Sequence, residues 1–184
     1  MDILTEAAPF TPTPKLPDRY EIVNGEIREV PPMGARQISL AMRLAMFLCN
    51  FADPRKLGQV VNEALFCLRE GHTERKPDVA FISAQRWPFD LESPQTNAWA
   101  VVPNLAVEVI SPTNTYDEVR QKMEEYFQAG VEAIWVVSTA LRQIEVFDAA
   151  RNYHLVTIND VLKGDPILPG FELPLRDLFS KRYE

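Results

Sequence analysis

The stretch "PNLAVEVISPTN", residues 103–114, decides the fold class. It reads as a β-strand, with Leu105, Val107 and Val109 on one face and Ala106, Glu108 and Ile110 on the other, because strand side chains alternate. Both faces are apolar, the pattern of a strand covered on each side in a layered α/β protein. Glu108 breaks that pattern. A carboxylate inside such a layer is costly unless something pairs with it. The stretch therefore predicts a partner cation or a metal ion at Glu108.

Reading onward, Pro112 ends strand pairing, and Thr113, Asn114 or Thr115 can cap a helix over residues 116–129, which Gly130 closes. "AIWVVS", "QIEVFD" and "YHLVTI" follow as strands, and the tail "LKGDPILPGFELPLRDLF" reads as turns and short strands. Upstream, strands are expected at Gln59–Asn62, Ala64–Leu68 and Asp78–Ile82, with a turn at Glu70-Gly71 and an irregular insertion over residues 83–100. Residues 35–52 carry two helical stripes, Ile38, Ala41, Ala45 and Leu48 beside Leu40, Leu44, Phe47 and Phe51. So wide an apolar surface predicts a helix laid on a sheet. "YEIVNGEIREV" is an N-terminal β-hairpin turning at Asn24-Gly25. Residues 1–18 form a proline-rich extended arm, and residues 19–184 a single domain. The fold expected is α/β, a mixed β-sheet flanked by helices.

With 184 residues, 46% hydrophobic and 24% charged, the composition is that of a globular protein able to bury a core. Arg43 interrupts the most apolar helix-like run, and Pro103 and Glu108 the next, so no membrane span is expected. No export signal is visible, and Cys49 and Cys67 read as reduced core thiols, which together place the protein in the cytoplasm. Two histidines make a histidine-built zinc centre a poor fit. A net charge of −7 argues against a protein that coats nucleic acid. Residues 28–76, however, hold eight Lys/Arg against five acids. That surplus is either ordinary solvated charge or a local path for a polyanion.

Asp78 opens the strand "PDVAFI" and shares a face with Ala80 and Ile82. If this strand neighbours the one carrying Glu108, the two carboxylates converge. With water and a phosphate they suit magnesium or manganese, which favour hard oxygen ligands. Read alone, Asp78 is a turn residue after Pro77, since Pro-Asp is a common turn pair. Lys122 lies about 60° from the apolar direction of its helix, on the flank of the buried face. It is either a snorkelling lysine beside Glu118 or the cation that Glu108 requires. Glu26, just past the hairpin turn, is a further candidate carboxylate or simply an exposed hairpin residue.

The stretches "YEIVNGEI", "KPDVAFI", "PNLAVEVISPTNT", the lysine of "EVRQKMEEYFQAGV", "AIWVV" and "LKGDPILPGFELPL", in this order and spacing, resemble the Uma-type putative restriction endonucleases. These belong to the PD-(D/E)xK nuclease superfamily, and the resemblance runs from Tyr20 to Phe179. It implies a restriction-endonuclease-like core and a metal-dependent DNA endonuclease. In it Asp78 and Glu108 are the magnesium ligands and catalytic acids, and Lys122 is the catalytic cation. Ile110 stands where a standard E-x-K motif has its lysine, so the lysine has migrated to the following helix. Glu26 matches the family's "GE" turn. Gln37 replaces a histidine common in relatives, and Ser138 replaces the aspartate of "WVVDP". Many nucleases of this fold act as dimers, so a homodimer is expected. The alternative is an inactive nuclease-fold protein serving as a binding or assembly module, which the acidic pI of about 5.0 favours.

Overall fold

The computed structural model describes residues 16–69, 72–110 and 114–180. The arm's residues 1–15, the Glu70-Gly71 turn and the Ser111–Thr113 stop signal lie outside them. The chain opens with β1 (Tyr20–Val23) and β2 (Glu26–Glu29), antiparallel around Asn24 and Gly25. Both turn residues have positive φ, 53° and 82°, as a two-residue hairpin turn of the right twist requires. Next come α1 (Ala35–Ala52), β3 (Gly58–Asn62), β4 (Leu65–Arg69), β5 (Thr73–Arg75), β6 (Val79–Ser83) and β7 (Ala98–Trp99). They are followed by β8 (Leu105–Ile110), α2 (Tyr116–Ala129), β9 (Ala133–Ser138), β10 (Gln143–Ala149) and β11 (Asn152–Val156). The tail forms a small hairpin of β12 (Val161–Lys163) and β13 (Glu172–Pro174), then the short α3 (Leu175–Phe179).

Two sheets organise the domain. The larger has the order β11-β10-β9-β8-β6-β3, and only its β8–β9 pair is parallel, joined by a crossover through α2. The smaller has the order β2-β1-β5-β4-β7. Alternation along β8 sorts the core as the sequence predicts. Leu105, Val107 and Val109 pack with Leu40, Leu44 and Leu48 of α1. Ala106, on the other face, packs with Met123 and Tyr126 of α2. A third cluster, Phe66, Trp99, Ala80 and Ile82, joins the smaller sheet to β6. The mixed sheet flanked by helices, with its N-terminal hairpin, is the expected fold.

Some expectations need correction. Ile38 is 49% exposed and lies outside the buried face of α1, which is made by Leu40, Ala41, Leu44, Ala45, Leu48 and Ala52. The sheet accepts one stripe and its flank, not a full half-turn more. Strands β5 and β7 were not foreseen, because "TER" and "AW" are too short to show a period. The helix after β8 starts as anticipated: Thr115 Oγ1 accepts from the Glu118 amide, and Glu118 caps the Thr115 amide in return. Gly130, at φ 97°, closes it.

β3 lies so close to β6 that a Cβ on Gly58 would sit 2.1 Å from the carbonyl oxygen of Ile82. Backbone on both sides cannot yield without parting the strands. Gly58→Ala is expected to lower stability by about 1–3 kcal/mol in urea unfolding, as overpacking does.

Candidate active site

The site begins with the strand register. β6 and β8 run antiparallel with Val79 opposite Val107 and Ala80 opposite Ala106. The same register, carried one step further, sets Asp78 opposite Glu108. One oxygen of Asp78, Oδ2, accepts a hydrogen bond from the Val109 amide at 2.6 Å, tying the two strand ends together. Glu108 stays on the α2 side of the sheet, 9% exposed. Its Oε1 accepts from the Tyr126 hydroxyl at 2.8 Å, and its Oε2 lies 3.3 Å from Lys122 Nζ. Tyr126 and Lys122 are one helical turn apart on α2, so both reach the same carboxylate.

The cation that Glu108 called for is therefore Lys122, but it is shared. Lys122 Nζ is 2.9 Å from Oε1 of Glu21, a buried residue of β1. Glu21 Oε1 also accepts from the Lys76 amide at 3.1 Å, and its Oε2 pairs with Arg75 Nη1 of β5 at 2.6 Å. Arg75 Nε in turn meets Glu125 of α2 at 2.6 Å. Charges thus alternate along Glu108, Lys122, Glu21, Arg75 and Glu125. Asp78 stands beside this chain with a backbone amide as its hydrogen-bond donor, leaving four carboxylates against two cations.

Protonation follows from burial, with that imbalance added to it. Burial, reinforced by the Glu108 charge, pushes the Asp78 carboxyl from its ordinary 3.8 up to about 7. Burial likewise raises Glu108, against the pull of Lys122. Burial also pushes Glu21 upward, but the charges of Lys122 and Arg75 outweigh it and hold Glu21 below the usual carboxylate range. For Lys122, burial works against the charged form, yet Glu108 and Glu21 raise it overall, so it remains an ammonium.

The Asp78 shift has a consequence for stability. Between pH 4 and pH 7 the folded chain holds a proton on Asp78 that the unfolded chain has released, so stability falls as pH rises through that window. Asp78→Asn removes this dependence and keeps an acceptor for the Val109 amide. Urea unfolding of metal-free protein at pH 5 and pH 8 is expected to show wild type losing on the order of 2 kcal/mol relative to the variant across the window.

Of the sequence candidates, Asp78, Glu108 and Lys122 come together. Glu26 does not join them: it is exposed on the outer strand β2, opposite Val23, and the hairpin carboxylate that reaches Lys122 is Glu21. Gln37 is buried on α1, in the layer across the sheet from Glu108. Ser138 serves a turn, its Oγ accepting from the Leu141 amide at 3.2 Å. Cys49 and Cys67 are half-buried thiols.

Sequence reading missed Glu21, Arg75, Glu125 and Tyr126. Glu21 could have been found by the test that flagged Glu108, since it shares a strand face with Val23. Arg75 could not, because "TERK" looks like solvated charge. The basic surplus of residues 28–76 is also partly engaged within the chain, one group of it buried and two at the surface. Arg75 is buried in the site, Arg43 donates to the carbonyls of Asp177 and Ser180, and Arg55 donates to Phe51 O while lying over its ring. Among the described residues no group of three or more Asp, Glu, His or Cys forms a ready metal cage, and no helix is long and apolar enough to cross a membrane.

A family model described as "Uma2: Putative restriction endonuclease" matches residues 10–176. The chain belongs to the Uma2 family. The match reaches from the arm into α3, so both sheets and the whole acid–lysine site lie within the Uma2 region. A crystal structure of a putative nuclease of the DUF820 group, from Anabaena variabilis ATCC 29413, superposes with a TM-score of 0.75. It is 16% identical, with 88% of this chain and 89% of that one covered, and so shows that the restriction-endonuclease-like fold is shared. No curated protein matches this Uma2 chain.

Proposed function

We propose that this protein is a divalent-metal-dependent endonuclease that hydrolyses DNA phosphodiester bonds. The observation that carries this reading is the meeting of Asp78, the residue just before β6 whose Oδ2 accepts from the Val109 amide, with Glu108 of the neighbouring β8 and the Lys122 ammonium set against it. The Uma2 membership agrees with it.

The donor set fits magnesium or manganese. Asp78 and Glu108 offer hard oxygens, and the Asp78 carboxyl, pushed up first by its burial and then by the Glu108 charge, is a group whose ionised form a cation would favour. With two protein ligands, the remaining positions fall to water and phosphate oxygens, as magnesium favours. When bound, the ion supplies Lewis-acid polarisation of the phosphodiester and acidifies water. Lys122, permanently protonated, is a donor and not a base: it orients the attacking water and offsets negative charge growing on the phosphate. Tyr126 fixes the Glu108 carboxylate, and Glu21, held by Arg75, fixes the lysine. We place the enzyme in the cytoplasm as a homodimer, whose two-fold axis sets one site on each antiparallel strand of a duplex.

A second reading is an inactive nuclease-fold protein that works as a binding or assembly module. It draws support from Lys122 lying nearer Glu21 than Glu108 and from the basic side chains consumed internally. Incubation with supercoiled plasmid decides between them. The enzyme is expected to nick it in magnesium or manganese, and either ion should raise the melting temperature, by about 2.7 kcal/mol of stabilisation at a hundredfold excess over Kd. Neither nicking nor a thermal shift means the inactive module.

A further inference from the structure

A cavity of about 340 Å³ lies beside the acid–lysine site, lined mainly by polar surface. Tyr20, Glu63, Leu65, Lys76, Asn97 and Trp99 are among its walls. Lys76, Pro77 and Asp78 are consecutive, so Lys76 in the cavity wall is at most about 7 Å along the backbone from Asp78. A second tie is the Glu63 amide, which donates to the Asp78 carbonyl at 3.2 Å. Two residues of the cavity wall, Lys76 and Glu63, are thus tied to the backbone at Asp78.

We propose that this cavity receives an unpaired nucleotide of the DNA strand next to the scissile phosphate. The inference rests on the nuclease reading and adds the form of the substrate. Three kinds of chemistry converge here. Lys76 has no carboxylate partner among the described residues, so its ammonium is available to a phosphate oxygen. Two acids line the wall, Asp18 and Glu63; Glu63 is paired with Arg19 at 2.5 Å, so the Lys76 and Arg19 cations balance them and leave the Lys76 ammonium to meet the phosphate. Asn97 touches Tyr20 Oη at 3.5 Å through Nδ2, leaving its carbonyl oxygen and a second N–H for the edge of a base. The Tyr20 ring offers a stacking surface, and Trp99, braced by Trp87 at 5.1 Å and Phe66 at 6.2 Å, makes a stiff floor. A base inside a duplex has its edge and faces already engaged, so only a single-stranded or extruded nucleotide can use all three.

The test uses the full chain in EDTA, where cleavage does not interfere. A labelled single-stranded oligodeoxynucleotide, its intact duplex and a free deoxynucleoside monophosphate are titrated by fluorescence anisotropy or, for the monophosphate, by tryptophan quenching. The single strand is expected to bind about tenfold more tightly than the duplex. Lys76→Gln and Asn97→Leu should each weaken it about tenfold at unchanged melting temperature, and Lys76→Gln should also reduce the salt slope. Binding of the monophosphate with the same sensitivity to both variants assigns the recognition to the nucleotide itself; if only the strand responds, the neighbouring phosphates contribute. Equal binding of duplex and single strand, no binding by wild type, or wild-type affinity in both variants overturns the proposal. Absence of plasmid nicking together with variant-sensitive strand binding removes the nuclease reading and leaves the nucleotide site standing.

Discussion

Glu108→Ala is expected to abolish metal-dependent plasmid cleavage, a loss of about 10³-fold or more, in a protein that still folds. On the proposed mechanism the loss follows because Glu108 would be one of the two carboxylates offered to the metal, and it is the one against which Lys122 is set. The fold survives because what Glu108 leaves behind is largely provided for. Lys122 keeps Glu21 at 2.9 Å, and the apolar neighbours of β8 are untouched. The main cost is the orphaned Tyr126 hydroxyl, about 1–3 kcal/mol. Glu108→Gln separates the two effects: its amide oxygen still accepts from Tyr126, so stability is better preserved while the charge is gone. Plasmid nicking and the melting temperature, measured on both variants, check this. Cleavage retained by Glu108→Ala removes Glu108 from the active site.

The largest stability effect is expected at Arg75. This guanidinium is 5% exposed and bridges Glu21 and Glu125 at 2.6 Å each, joining the small sheet to α2. Arg75→Met fills much of the same volume but takes the guanidinium from both carboxylates, and breaking a buried pair in this way costs about 3–5 kcal/mol. Glu21 retains Lys122, so the penalty falls hardest on Glu125 and on the seating of β5. Urea unfolding measures the loss. Arg75→Met combined with Glu125→Gln should recover part of it, because one stranded charge is then removed. A change below about 1 kcal/mol in the single variant would show that the chain of alternating charges does not hold α2 to the sheet.

Much of this architecture is legible in the chain. The doubly apolar β8, the Asn24-Gly25 turn, the capped α2 with its terminal Gly130 and the broad face of α1 each announce a local geometry through period or punctuation. The carboxylate in β8 also announces that a cation must be near, and Lys122 on the flank of α2 satisfies that demand. Ile38 shows the limit of the method: a helical stripe says which residues could be buried, and the sheet beneath decides how many are.

The sequence by itself determined the layered α/β class, the longer strands and both long helices, and the demand for a cation at Glu108, because those depend on alternation, helical spacing and the cost of burying charge. Only the tertiary structure decided that Glu21, and not Glu26, supplies the hairpin's carboxylate, that Arg75 and Tyr126 complete the network, and that a polar cavity opens at Lys76, two residues from Asp78. The physical reason is that a charged residue in a short strand looks the same whether it meets water or an opposite charge. That distinction arises only when β1, β5 and α2 are brought together across gaps of fifty residues and more.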